Sequence, residues 1–207
     1  MADPKRAITR DIVPDEGVVS RAERWRAGEE PPARAEGLGV SFKTPKGLRL
    51  AGELLVPEGP GPHPVVVVAG AGVGGKASPE SRALAQTLCA QGMAAFLFDW
   101  TGCGDSEGDR AQCNPGQQLE DMRAAVEALG AFDELDGTRV ALAGLGSGVP
   151  AATRAGAEDP RIRALVLIAP DPEAAAAGAA PPRVPVLRLT DAREAARAAT
   201  WLRKQMA

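Results

Sequence analysis

The sequence predicts an α/β fold: an open, mostly parallel sheet with helices on both faces. Three observations lead there. Short apolar runs without polar alternation, VVVVAG (65–70), AAFLFDW (94–100), RVALAG (139–144) and ALVLIAP (164–170), suit strands buried on both faces. Stretches of helical period separate these runs. Glycine-rich loops follow three of them, where parallel strands end and such sheets keep their ligands.

Residues 1–38 are charged, broken by Pro14, Pro31 and Pro32, and thin in apolar side chains, so they are expected to form an arm outside the domain of residues 39–207. Within the arm, Val18, Ala22 and Trp25 stand at helical spacing, either covering the domain or meeting a partner. VSFKT and LRLAGELLV then alternate around Pro45-Lys46-Gly47, which predicts a hairpin. After VVVVAG comes a helix with Ser78 as cap, Pro79 in its first turn and Gly92 at its end. Its inner stripe is Leu84, Ala85 and Leu88.

AAFLFDW is followed by a helix with Leu119, Met122, Val126 and Leu129 on one face. RVALAG leads into the helix start GVPAATRAG, and ALVLIAP into an Ala-rich segment from Asp171 to Arg183. VPVLRLT (184–190) and a last helix, AREAARAATWLRKQM, complete the order: hairpin, then βαβαβαβ(α)βα.

Composition narrows the function. A net charge of -3 gives no basic surface for nucleic acid. No apolar run approaches the roughly 20 residues of a spanning helix, so no membrane partner is expected. The N-terminus lacks the apolar core of a secretory signal, and Cys89, Cys103 and Cys113 form no CxxC pair, which predicts a reduced, cytoplasmic chain. These cysteines also lack the neighbours of a zinc site; neither metal nor cofactor is expected. The single histidine is His63.

Three loops carry a resemblance. FDWTGCGDSEGD (98–109) is an Asp followed by Gly-x-Gly-x-Ser-x-Gly, AGAG (69–72) follows the central strand, and VALAGLGSGVPAA has the strand–turn–helix setting of a nucleophile elbow. Together the loops resemble the α/β-hydrolase family, nearest its dienelactone-hydrolase and small peptidase-like members, over roughly residues 39–205.

The chemistry implied by that resemblance departs from the family at each position. The elbow serine's place is taken by Gly146, with Ser147 one residue later. Where the family writes a loop histidine, Ala69 stands. Serine needs a neighbouring base, and His63 precedes its strand, roughly 15–20 Å from the carboxyl edge at about 3.3 Å per residue. By the resemblance, the acid follows VPVLRLT and the histidine one further strand, so the last strand, histidine loop and final helix are expected to be missing. Asp191 stands a few residues early for that acid and is expected to cap the last helix. Ser147 and Asp191 are the only catalytic candidates; Gly70, Ala71, Gly72, Asp99, Gly146 and Ser147 outline a vestigial pocket.

Rival motifs fall short. Gly70 to Ala77 approaches a P-loop, but Ala77 lacks the hydroxyl for Mg²⁺ and Ser78-Pro79 starts the helix too late. The GxG of the elbow, with Asp171 after the next strand, is a weak dinucleotide fingerprint with Val149 at its third glycine. Asp99, Asp105, Glu107, Asp109 and Asp171 crowd one edge, a solvated acidic loop or a weak cation site. Cys103 lacks a cationic neighbour unless Lys76 reaches it, and is expected to be inert.

The expected function is therefore a hydrolase scaffold without hydrolase catalysis, binding a small ligand or a protein partner. The alternative is a divergent serine esterase or thioesterase using Ser147, with its base from a carboxylate or another chain. If VPVLRLT is the terminal strand, the unpaired edge Val184 to Thr190, or the C-terminal helix, predicts a homodimer.

Overall fold

The computed structural model describes residues 13–14, 37–70, 72–176 and 182–207. Inside the region read as an arm, Val13–Pro14 form a two-residue strand, β1, antiparallel to β2 (Leu38–Lys43). Sheet pairing thus reaches into the arm, while the expected helical turn at Val18, Ala22 and Trp25 lies outside the described residues. The hairpin forms from β2 and β3 (Arg49–Leu55), paired from Leu38↔Leu54 to Lys43↔Arg49. Its turn closes through Gly47 N–H to Thr44 O (2.8 Å), with Gly47 at φ 84°.

β4 (His63–Ala69), β5 (Ala94–Phe98), β6 (Leu135–Leu145), β7 (Ile162–Ile168) and β8 (Val186–Leu189) run parallel. The sheet order is β1-β2-β3-β5-β4-β6-β7-β8. The predicted elements appear in the predicted order. β8 is the outermost strand; Val186 and Leu187 are half-buried, and exposed Arg188 meets Glu173 at 3.2 Å.

Helix α1 (Pro79–Ala90) starts where Ser78 Oγ accepts from Ser81 N–H (3.1 Å) and stops before Gly92, at φ 81°. In α2 (Pro115–Ala128) the cap is Asn114, accepting from Gly116 and Gln117 N–H. α3 (Val149–Glu158) follows the elbow, and α4 (Pro172–Ala175) is one short turn in the Ala-rich segment. α5 (Ala195–Gln205) closes the described chain.

The sheet divides the apolar interior in two. On one face Val65, Val67, Phe96, Phe98 and Trp100 pack against α2 and α3 through Met122, Val126, Val149 and Ala152. On the other, Val66, Val68, Leu97 and Val166 pack against α1 and α5 through Leu84, Leu88, Ala198 and Leu202. With helices on both faces the parallel strands are continuous apolar runs, and this is why they were readable. Among the described residues no helix is long and apolar enough to cross a membrane.

Candidate active site at the carboxyl edge of the sheet

Register places the three loops side by side. Ala69 pairs with Phe98 on one side and with Gly144 on the other, so Asp99, Gly70 and the elbow leave the sheet at neighbouring points. The turn Gly72–Ala77 touches the turn Gly146–Gly148. Of the pocket residues expected from sequence, Gly70, Gly72, Asp99, Gly146 and Ser147 are brought together at this edge; Ala71 lies outside the described residues.

The elbow has the expected shape. Leu145 is extended (φ -111°, ψ 128°), Gly146 turns to φ 52°, and the chain enters α3 after Gly148. A positive φ at the tip is open to glycine at little cost. Ser147 follows on the exposed side of the turn. No side chain caps α3, whose first N–H groups carry the positive end of the helix dipole. Helix and strand approach closely: a Cβ on Gly148 would stand 2.5 Å from Ala69 O, and one on Gly144 2.9 Å from Val149 Cα.

Asp99 is not free to serve a ligand. Its side chain is 3% exposed and accepts from Lys76 N–H (2.9 Å), Lys76 Nζ (2.5 Å) and Asp105 N–H (3.1 Å). Gly75 (φ 43°) and Gly104 (φ 54°) close around it; a Cβ at either would come within 2.2 Å of a carboxylate oxygen. Asp99 thus leaves the expected pocket and becomes the anchor of two loops. Lys76 also reaches Asp105 (2.6 Å). Burial pulls the Lys76 ammonium down, but its hydrogen bonds to Asp105 and Asp99 outweigh this and hold its pKa above the ordinary lysine value. The same Lys76 hydrogen bond lowers the Asp105 carboxyl. The lysine that suggested a P-loop is thus engaged by carboxylates. Among the described residues, no three His, Cys, Asp or Glu side chains are grouped to hold a metal ion.

A second anchor lies beneath. Fully buried Asp121 of α2 accepts from Thr101 N–H (2.8 Å), Thr101 Oγ1 (2.8 Å) and Gln117 Nε2 (2.9 Å). Burial raises its pKa above the ordinary aspartate value in spite of these bonds. A carboxyl whose folded pKa exceeds its unfolded one contributes stability fully present below the unfolded pKa and lost as pH rises through the folded one. Relative to Asp121→Asn, the wild type should therefore gain unfolding free energy between pH 7 and pH 4.5. Urea denaturation at both pH values checks this; a constant or shrinking difference would refute it.

The remaining candidates lie apart. Asp191 Oδ1 accepts from Arg193 N–H (2.8 Å) and caps the short turn Ala192–Glu194 rather than the last helix itself, whose start at Ala195 has no side-chain cap. Two strand spacings separate β6 from β8, about 10 Å. His63 begins β4 and is 8% exposed; its N–H donates to Glu134 O, at the amino edge. The cation beside Cys103 is Arg110 rather than Lys76, yet burial and the neighbouring Cys113 still raise the Cys103 thiol. A groove of about 940 Å³ lies between the β2–β3 turn and the later parts of α2 and α3, and no pocket residue named above lines it. Sequence reasoning missed the Lys76–Asp99 and Thr101–Asp121 anchors; Gly104, two residues after Gly102, was the available signal for a loop folded around a buried group.

Residues 62–204 match the family model of the serine aminopeptidases, S33, whose fold is the α/β hydrolase. The chain belongs to this family. Among curated relatives of this α/β hydrolase are the thiohydrolase apmlB of Arthrinium phaeospermum, 33% identical over 64% of this chain and 43% of its own length, and the quorum-quenching protein AidA of Acinetobacter baumannii, 33% identical over 52% and 35%. The crystal structure of the hypothetical protein PA2218 from Pseudomonas aeruginosa superposes with a TM-score of 0.60 at 27% identity, over 73% of this chain and 47% of that one. The chain spans less than half the length of each.

Proposed function

We propose that this α/β hydrolase acts on an ester or thioester, with Ser147 as nucleophile. The observation that carries the reading is the exposed Ser147 at the entrance to α3, on the edge where the elbow opens. Relatives named thiohydrolases favour it over a scaffold that only binds. Ser147 Oγ attacks the acyl carbon and gives up its proton to a base. Backbone N–H groups of the turn Gly146–Gly148 stabilise the oxyanion; the leaving thiol or alcohol takes the proton, and water then releases the acid. The base is a carboxylate or belongs to a second copy joined along β8, because His63 lies at the far edge of the sheet. The protein is proposed to work in the cytoplasm.

A fluorophosphonate probe should label the 207-residue chain, and Ser147→Ala should abolish both the label and turnover of a short-chain acyl thioester. Light scattering that shows a monomer at tens of micromolar would remove the second copy and leave a carboxylate as base. A second reading, binding of a small ligand or protein partner without turnover, is favoured by Gly146, which leaves the tip of the elbow without a hydroxyl. No label and no turnover in the wild type would select it and reject Ser147.

A further inference from the structure

Trp100 stands between two anchored neighbours where the chain leaves β5. Asp99 is tied to Lys76 (2.5 Å) and Thr101 to Asp121 (2.8 Å). The indole is 1% exposed and lies edge-on to Phe98, with ring centroids 4.7 Å apart. Its Nε1–H donates to Gly70 O at 3.1 Å. Gly70 follows the last residue of β4 and has no room to retreat from the indole: a Cβ there would stand 2.5 Å from Gly75 O and 2.8 Å from Ser81 Oγ. The elbow packs on the peptide just before it, since a Cβ on Gly148 would meet Ala69 O at 2.5 Å. A peptide unit is planar and trans, so its C=O and N–H point to opposite sides. With the Gly70 carbonyl turned inward to a buried indole, the N–H of the same unit is turned out of the interior, beside the elbow.

We propose, resting on the reading of Ser147 as nucleophile, that Trp100 is a positioning residue whose indole N–H holds the Gly70 peptide so that the N–H of that unit faces the oxyanion. The turn Gly146–Gly148 supplies donors from one side, and the peptide after Gly70 supplies one from β4, the neighbouring strand. Charge grows on the acyl oxygen only as Ser147 adds to the carbonyl. A donor aimed there lowers the barrier and leaves substrate binding nearly unchanged. An indole suits this task because its N–H donates only, and its ring is fixed between the two anchors.

The benzothiophene isostere of tryptophan, placed at position 100 of the 207-residue chain, keeps the ring's shape and loses only the N–H. With a short-chain acyl thioester its kcat should fall about 10–100-fold and its KM stay within about threefold, a smaller loss than the roughly 10²–10³-fold of deleting an oxyanion donor outright. Trp100→Phe should show the same split between kcat and KM, and fluorophosphonate labelling of both should slow. In the wild type, exchange of the Trp100 indole N–H with deuterium should be slow, a measurement that needs neither variant to fold. Rapid exchange overturns the role, as does a rise in KM with kcat unchanged, which would make Trp100 a binding residue. An active wild type with an equally active isostere rejects Trp100 alone. A wild type with neither label nor turnover rejects Ser147, and the role of Trp100 with it.

Discussion

Lys76→Met is expected to lower the unfolding free energy by about 3 kcal/mol, the low end for removing one partner of a buried pair. In a chain of 207 residues this is a fall of roughly 6–12 °C in Tm at about 2–4 °C per kcal/mol. The cost arises at Asp99, whose side chain is 3% exposed and keeps only backbone donors once the ammonium is gone. Those two N–H bonds still hold the carboxylate and keep the loss at the low end. Asp105 is largely exposed and contributes little to it. In Lys76→Met/Asp99→Asn the stranded charge is absent, so the double variant should be more stable than Lys76→Met alone. Thermal denaturation of the three proteins checks both statements. A Lys76→Met protein melting within a degree or two of wild type would mean that water reaches Asp99.

Gly148→Ala should cost about as much by a different mechanism. Its φ of -78° is ordinary for any residue, so backbone strain plays no part. The new Cβ would sit 2.5 Å from Ala69 O and 3.1 Å from Ala69 C, atoms of the central strand. Such atoms can retreat only if β4 or α3 moves, and overpacking of this kind costs about 1–3 kcal/mol, at times more. Gly156→Ala is the control. There the new Cβ meets the branched end of Leu165, a side chain, and the helix gains from losing a glycine by about 1 kcal/mol. Gly148→Ala should melt well below Gly156→Ala; the reverse order would mean that α3 is not seated as closely on the sheet as described.

The fold was legible because buried parallel strands and capped helices leave strong local marks. VVVVAG and AAFLFDW have no other comfortable place than inside such a sheet, and Ser78 caps where spacing put it. The elbow was legible for the same reason: strand, glycine turn and helix are contiguous in the chain. The anchors were not. Lys76 and Asp99 are distant in sequence, and nothing in an acidic, glycine-rich loop distinguishes a solvated carboxylate from one enclosed by Gly75 and Gly104. The pairing of Val13–Pro14 with β2 was also hidden, because two residues carry no alternation to read. Lys76 after a run of glycines looked like phosphate chemistry, and only its tertiary partners show otherwise.

The division of the interior by the sheet bears on how sequence change accumulates. Val66 and Val67 are consecutive, yet they belong to different clusters and share no helix as a packing partner. Val67 and Val149 are far apart in the chain but lie in one cluster. Volume changes should therefore couple along a face and add independently across the sheet. The α1–α5 side can drift in side-chain size while the α2–α3 side, which seats the elbow and the Asp121 anchor, stays as it is.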